Sequence, residues 1–301
     1  MKKNKGFILI YVLGFSLALT SVILIFNFKT KKYIESFKRN YQIFEMEKIA
    51  DIGFEIAKKI IEKDTNNYDW IKEKWAEEKN FNIENYELNI LIEDENSKIN
   101  INKILEKEGK TNQLLLEVLK NLFVILEYPS SLLDCLLDWM DEDSIPKPSG
   151  AEDIYYSSIG LNYAPPNRNL LSLREVLLIK GFDKEKVYGN KEKKGLFDFI
   201  TIYSDDKINI NTCKSELLNS MGFTNEDISK IMEERENRPI NETILLNINR
   251  NVFLKNKNLI KFKSNYFHIS LKVKDEKGKE RNVEGILKKD KTIELIKKGI
   301  L

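Results

Sequence analysis

The sequence predicts an α+β protein in which one long N-terminal helix packs on an antiparallel sheet that carries a large, mainly helical insertion. Three patterns predict this fold. A stretch that is first apolar and then amphipathic runs from residue 7 to residue 63 without a proline. Segments of alternating polarity follow near residues 86–102 and near residues 266–288. Between them the period becomes helical over many leucines, which indicates a body of helices joined to the sheet.

The first element is a candidate membrane helix. Phe7 to Phe28 contains no charged residue, and lysines lie on both sides of it. At a rise of about 1.5 Å per residue such a helix spans roughly 30 Å, the thickness of the bilayer hydrocarbon. A buried core helix is the alternative, but core helices are usually shorter and polar on one face. Because lysines flank both ends, charge alone does not orient this segment.

The helix is expected to continue past the membrane as an amphipathic half. Apolar residues recur there at steps of three to five, with charged residues between them. They are Tyr33, Phe37, Tyr41, Phe44, Ile49, Ile52, Ile56 and Ile60. Such a stripe needs a partner surface, and a sheet packed against it is the obvious candidate.

β structure is expected next, after a short helix near Asp69 to Glu78. Tyr86 to Ile92 predicts a strand, Asp94 to Ser97 a turn, and Lys98 to Asn102 a return strand. The period then becomes helical and marks at least two helices, which are separated at Tyr128-Pro129-Ser130. Their apolar positions are Leu114, Leu115, Val118, Leu119, Leu122, Leu126, Leu132, Leu133, Leu136 and Leu137.

A loop rich in proline, glycine and acidic residues follows from Asp141 to Pro166. After it, Leu173 to Lys180 predicts a helix with Ser172 as its N-cap and Gly181 as its stop.

The chain then repeats itself. Strands are expected at Leu196 to Tyr203 and at Ile208 to Asn211, and the string Lys98 to Asn102 recurs identically at Lys207 to Asn211. Composition rich in asparagine and isoleucine produces such matches by chance, so duplication and coincidence both stay open. A helical pair is expected next, at Lys214 to Leu218 and Asn225 to Arg235. The C-terminal region predicts a β-hairpin, with strands Tyr266 to Val273 and Arg281 to Lys288 around Lys277-Gly278.

Composition limits the function. The 301 residues include 49 Lys plus Arg and 47 Asp plus Glu, for a net charge of +2, which argues against strong global attraction to nucleic acid. The single histidine, His268, is expected in a strand or on the surface rather than as a ligand. Cys135 and Cys213 match no metal spacing, and the sequence does not say whether they form a disulfide. We find no hydrolase triad, P-loop or dinucleotide fingerprint, which disfavours an enzyme.

The acidic loop is the candidate ligand site. Five carboxylates fall within sixteen residues of a loop rich in proline and glycine, a setting that suits a hard cation with oxygen ligands. The candidate metal ligands are Asp138, Asp141, Asp143, Glu152 and Asp153. The positions do not complete an EF-hand, because Ile145 and Pro146 stand where a ligand and a glycine are needed. With no cysteine or histidine in the loop, zinc is disfavoured. The alternative is a solvated acidic loop without metal.

Several strings, in order along the chain, closely resemble the minor pseudopilin K of type II secretion, the GspK family. The N-terminal junction Gly6-Phe7 looks like the class III signal of type IV pilins and pseudopilins, in which the cut precedes the apolar segment. The other strings are Ile99-Asn100-Ile101-Asn102, Asp138 to Asp143, Gly150 to Tyr156, Pro165-Pro166-Asn167, Ser172 to Phe182 and Ile208 to Thr212. The block from Asp138 to Phe182 is the most specific part of the resemblance.

The resemblance implies a pilin-like fold and a non-enzymatic role in protein export across the outer membrane. It implies cleavage between Gly6 and Phe7 and methylation of Phe7 by the prepilin peptidase, and partnership with minor pseudopilins I and J. It also implies a single-pass inner-membrane protein with a periplasmic globular domain, and calcium as the cation. Tyr11 is the fifth residue of the implied mature chain, where most pilins have a glutamate. Family K shares this lack, which fits the tip of the pseudopilus, although Tyr11 as an ordinary membrane residue remains the alternative.

The expected organisation is a leader at 1–6, a membrane helix at 7–28, an amphipathic helix with the first strands at 29–102, a helical insertion at 103–195, and at 196–301 the strands that complete the sheet. The rival function is a membrane-anchored DNA-binding protein, because Ile208 to Arg235 also resembles a helix-hairpin-helix. Its turn has one glycine, Gly222, followed by Glu226 and Asp227, whose charges oppose a phosphate. Nucleic acid is therefore not an expected partner.

Overall fold

The computed structural model describes residues 5–105 and 110–300, so most of the leader, residues 1–4, lies outside the described residues. Helix α1 runs over Lys5–Glu62, as predicted. Its first part is fully exposed and is apolar enough to cross a membrane, with a mean hydropathy of 2.6 over its best window. A helix with apolar side chains all round and no protein cover needs another apolar environment, and lipid provides it.

The last part of α1 packs on a sheet, as predicted for its amphipathic half. The buried face differs from the predicted stripe, of which Ile49 is buried and Ile52 is exposed. Met46, Ala50, Phe54, Ala57 and Ile61 recur at three- and four-residue steps and are all buried. The small alanines let the helix approach the strands closely. The apolar residues nearer the membrane, from Tyr33 to Phe44, stay exposed.

The sheet has five strands in the order β1-β2-β7-β8-β9. Their bounds are Lys79–Ile83, Tyr86–Asp94, Tyr266–Asp275, Glu280–Lys289 and Ile293–Ile300. Every neighbouring pair is antiparallel. The alternating residues Phe267, Ile269, Leu271 and Val273 of β7 are buried in the core beneath α1. The predicted hairpin at the C-terminal end is confirmed, whereas β1 and β9 were not expected.

Two local predictions before the helices are wrong. Asp69 to Glu78 forms consecutive turns and no helix, because tertiary contacts take its polar groups: the Asp69 N–H donates to Phe262 O (2.8 Å) and the Trp70 indole donates to Arg235 O (2.8 Å). Lys98 to Asn102 is not a return strand. Its two-residue β3, Ile99–Asn100, pairs in parallel with β4, Ile200–Thr201, more than ninety residues further along the chain.

Residues 95–265, here called the head, form a mainly helical body between the adjacent strands β2 and β7. Its helices are α2 Gln113–Ile125, α3 Ser131–Met140, α4 Asp153–Ser158, α5 Lys184–Tyr188, α6 Ser215–Ser220, α7 Asn225–Asn237 and α8 Glu242–Asn256. The break predicted near Pro129 separates α2 from α3. The segment after Ser172 is a 3₁₀ helix, Leu173–Leu178, with Ser172 as its cap.

The head has its own hydrophobic core, which extends from Ile99 to Ile260. The insertion expected to end at residue 195 therefore continues for some seventy residues, and the strands that complete the sheet begin only at Tyr266. The reason is that β5, Ile208–Asn209, pairs in parallel with β6, Ile260–Lys261, inside the head and not with the sheet. Cys135 and Cys213 are both buried free thiols within this core.

The repeated string has the same structure at both of its positions. Asn100 accepts a hydrogen bond from the Asn102 N–H (3.0 Å), and Asn209 accepts one from the Asn211 N–H (3.0 Å). Each copy also begins with a two-residue parallel bridge. The first helices after the two copies, α2 and α6, pack against each other. Shared local geometry at both positions favours a duplicated structural unit over coincidence.

Candidate metal centre

The carboxylates of the acidic loop are positioned by the end of α3 and the start of α4. Asp138 lies on the inward face of α3, where it is fully buried, and Asp141 is the C-cap of the same helix. Glu152 is the N-cap of α4 and is also buried. The fifteen-residue segment from Asp138 to Glu152 thus folds back on itself and brings residues from both of its ends together.

Oxygen atoms of Asp138, Asp141 and Glu152 lie within 4.8 Å of one another. Backbone N–H groups fix Asp138: Lys147 donates to both of its oxygens at 3.2 Å, and Ala151 donates to Oδ2 at 2.8 Å. Gly150 makes this close approach possible, because a Cβ at that position would collide with the Asp138 carboxylate. Loop backbone therefore holds the deepest carboxylate in place before any ligand binds.

Several oxygens around this cluster have no hydrogen-bond partner. Asp141 Oδ1 and Glu152 Oε1 are buried and unpaired, and so is Oδ1 of Asn167. The Asn167 amide nitrogen donates to the Asp143 carbonyl at 2.6 Å, which places this residue against the same loop. Asn167 also has a positive φ of 48°, a conformation that asparagine tolerates better than most residues. Buried oxygens normally have a partner, so these unpaired oxygens have spare acceptor capacity at the loop.

Crowding of the negative charges affects the acidity of the cluster. Burial raises the pKa of Glu152 to about 7, and the neighbouring charges of Asp138, Asp141 and Asp143 add to this rise. Burial also raises the pKa of Asp141, although the hydrogen bond from Lys147 opposes the shift. A divalent cation would reverse both effects, because an adjacent positive charge favours the ionised carboxylate.

The structure brings together three of the five expected ligands. Asp143 is exposed, and its Oδ1 accepts from the Ile145 N–H at 2.7 Å. Asp153 is exposed in the first turn of α4, where it accepts from Ser157 Oγ at 3.2 Å. Asn167 was not expected as a candidate. The string that contains it is part of the family resemblance, but its amide carries no charge that would have marked it.

The residues present fit a hard cation. Three carboxylates and an amide oxygen are the ligand types that calcium takes, and calcium tolerates irregular geometry and additional water ligands. Neither buried cysteine belongs to the cluster of Asp138, Asp141 and Glu152, so the donor set contains no soft ligand.

Helices α6 and α7 are joined by a turn at Gly222, which has a φ of +98°. The first turn of α7 is closed by a capping box, in which Thr224 and Asp227 each accept from the other's N–H at 3.2 and 3.0 Å. These N–H groups are the donors that a phosphate would use. Their own side chains occupy them, so the geometry gives no support to DNA contact here.

A long apolar helix that continues into a sheet-packed half defines a pilin-like fold, and its first part is long and apolar enough to cross a membrane. Residues 97–189 match the family model described as type II secretion system (T2SS), protein K. Over these residues the chain is similar to the type II secretion system protein K family.

Two known proteins illustrate the similarity. The type II secretion system protein K of Dickeya chrysanthemi is 32% identical over 128 residues, which cover 40% of this chain and 33% of that protein. The chain thus matches about a third of the length of this curated relative. A chain in the crystal structure of the GspK-GspI-GspJ complex from the enterotoxigenic Escherichia coli type 2 secretion system superposes with a TM-score of 0.71 at 15% identity, covering 88% of this chain and 98% of that chain. At this identity the match supports the fold.

Proposed function

We propose that this protein is the minor pseudopilin at the tip of the type II secretion pseudopilus, where it helps to initiate assembly and supports export across the outer membrane. The observation that carries this proposal is the size of the head. Residues 95–265 are inserted between two neighbouring strands, β2 and β7, of a five-stranded pilin-like sheet. A head of this bulk would obstruct a subunit stacked above it, so a terminal position suits it best. Most pilins have a glutamate at the position of Tyr11, and its carboxylate can pair with the N-terminal amine of the adjacent subunit. Tyr11 cannot form this pair, which agrees with a terminal position.

The proposed partners are minor pseudopilins I and J. The exposed residues Tyr33, Phe37, Tyr41 and Phe44 recur at steps of four, four and three along α1, and they form an uncovered apolar stripe between the membrane segment and the sheet. Exposed patches of this kind usually mark interaction surfaces. In this proposal, helices of the partner subunits cover this stripe. The similar solved structure is a complex of GspK with GspI and GspJ.

Replacement of Phe37 and Tyr41 by serine tests this interface. The full chain in detergent should lose most co-purification with I and J, because two large anchor side chains disappear. Replacement of the exposed residues Lys38 and Arg39 by serine serves as the control on the same helix. Equal recovery of both partners with the stripe variant would contradict the proposed interface.

The proposed location is the inner membrane, with one span and the head in the periplasm. In this proposal the prepilin peptidase cuts between Gly6 and Phe7 and methylates Phe7, and Phe7 to Phe28 remains on the mature protein. Gly6→Leu should leave the precursor uncut in cells, as measured by intact mass. Gly14→Leu is the matched control, because Gly14 has no neighbour within 4 Å and lies beyond the cut. Normal cleavage of Gly6→Leu would contradict the proposed leader.

We also propose that calcium binds Asp138, Asp141 and Glu152, with Asn167 as a further oxygen donor. Calcium should raise the melting temperature of the chelator-treated full chain. At a free concentration one hundred times the Kd, the expected stabilisation is about 2.7 kcal/mol. Asp141→Asn should lose most of this stabilisation by calcium, whereas Asp153→Asn should retain it. A wild-type melting temperature that calcium does not change would refute the site.

A further inference from the structure

The ammonium group of Lys147 already lies within the carboxylate cluster. Its Nζ is 3.3 Å from Asp138 Oδ1 and forms an ion pair with Asp141. The residue belongs to the acidic loop itself, between two of the proposed ligands. We infer that Lys147 is an internal cation that occupies the metal site in the apo protein and that calcium must displace, an inference that rests on the calcium site proposed above.

The charges of the cluster show why one lysine is an incomplete occupant. The cluster has three carboxylates and one ammonium, which leaves two negative charges uncompensated when all three carboxylates are ionised. Lys147 contacts Asp138 and Asp141, but Asp141 Oδ1 and Glu152 Oε1 keep no hydrogen-bond partner. A lysine has three donors on one compact group, whereas calcium gathers six to eight oxygens around it. The site therefore retains a preference for a divalent ion over its own lysine.

The geometry also permits the exchange. The Lys147 side chain is 31% exposed, while that of Asp138 is 0% exposed, so the lysine reaches solvent and the deepest carboxylate does not. Its stem can rotate towards water without opening the core. The Lys147 backbone N–H holds Asp138 independently of the side chain. Displacement of the ammonium therefore leaves the deepest ligand in place.

This arrangement has two opposite effects on the protein. Without metal, the lysine limits repulsion between buried carboxylates and stabilises the folded loop. With metal, the same lysine competes and lowers the apparent affinity. The loop is thus kept folded in both states, and the calcium concentration at which the metal binds is set higher than the carboxylates alone would give.

The test compares Lys147→Met with wild type in calcium calorimetry and in thermal melting, with the full chain in detergent. Methionine keeps the length of the stem and removes the charge. We expect roughly tenfold tighter calcium binding, a lower melting temperature in chelator and an unchanged melting temperature at saturating calcium. Lys120→Met is the control. Lys120 is exposed on α2, so this substitution removes the same charge outside the loop.

The outcomes separate this inference from the proposed site. Calcium binding by wild type with unchanged affinity in Lys147→Met would overturn the competition and leave the calcium site intact. An equal gain in affinity for Lys120→Met would also overturn it, because net charge alone would then explain the effect. Tighter binding by Lys147→Met than by wild type, with unchanged affinity in Lys120→Met, would support it. Failure of both proteins to bind calcium would refute the site and the inference together.

Discussion

The ring of Phe54 on α1 occupies the space that a side chain at residue 285 on β8 would need. A Cβ built on Gly285 would collide with this ring and would also lie 2.9 Å from Leu295 Cδ1. Gly285 pairs with Ile269, so it lies on the face of the sheet that packs against the helix. This glycine therefore sets how closely α1 lies on the sheet.

Gly285→Val should destabilise the protein by about 1–3 kcal/mol, because the buried Phe54 ring cannot move aside without leaving the core. Urea unfolding of the full chain in detergent measures the change. Gly299→Val on the neighbouring strand is the control, since nothing lies within 4 Å of its built Cβ. Similar losses for both variants would contradict the proposed close contact.

Asn211→Ala should cost roughly 1–3 kcal/mol, because it leaves two buried backbone groups unpaired. The Asn211 side chain donates to Ile240 O at 3.2 Å and accepts from the Ile240 N–H at 2.6 Å. Thermal melting measures the loss. Asn237→Ala, at an exposed position on α7, should stay close to wild type. If Asn211→Ala has the same melting temperature as that control, the paired hydrogen bonds contribute little to stability.

The equivalent asparagine of the first repeat makes the same exchange. Asn102 donates to Leu170 O and accepts from the Leu170 N–H, both at 2.9 Å. We expect Asn102→Ala to lose stability in the same range as Asn211→Ala. A loss at one position only would argue against equivalent roles for the two copies.

Stability should fall as pH rises from about 4 to 8, owing to Asp69. Burial raises the pKa of Asp69 to about 8, and the nearby charges of Asp94 and Asp64 add to this, although the Ser264 N–H opposes it. The unfolded carboxyl ionises near its ordinary value, so the native state holds the extra proton within this window. Each pH unit there costs up to about 1.4 kcal/mol. Asp69→Asn keeps an acceptor for Ser264 and should flatten the dependence measured by urea unfolding. Parallel curves for variant and wild type would refute this assignment.

His268 should titrate above its ordinary value. Burial lowers its pKa, but Glu93, 3.5 Å from Nδ1, outweighs this with help from Glu95 and Glu284, and the net shift is upward. Its contribution to stability is therefore present at low pH and is lost as pH rises through the folded pKa. As the chain has one histidine, a single C2 proton resonance reports this titration. Glu93→Gln should lower the measured pKa, whereas Glu87→Gln, at an exposed position on the same strand, should not.

The helix and the hairpin that were predicted correctly are elements whose sequence pattern is local. The long helix follows from an uninterrupted periodicity, and the β7–β8 hairpin follows from alternation around Lys277-Gly278. The parallel bridges were missed because Ile99 and Ile208 pair with residues far along the chain, and no local signal announces such partners. Tertiary hydrogen bonds also overrode the expected helix near Trp70.

The candidate site was predicted in composition but not in detail. The density of carboxylates pointed to the loop, and three of the five chosen residues meet. Spacing could not separate Glu152 from the adjacent Asp153, because their positions at the start of α4 decide which one turns inward. Asn167 and Lys147 were missed for another reason: neither is acidic, and their relation to the cluster depends on how the loop folds.

The chain leaves the sheet and returns to it at the same place. Asp94 at the end of β2 lies directly opposite Phe267 near the start of β7. A hairpin of a few residues could join these two strands directly. The sheet therefore does not need the head to connect β2 with β7. Insertions, exchanges or deletions within residues 95–265 can thus enter the chain at one place, while helix α1 and the order of the sheet strands stay unchanged.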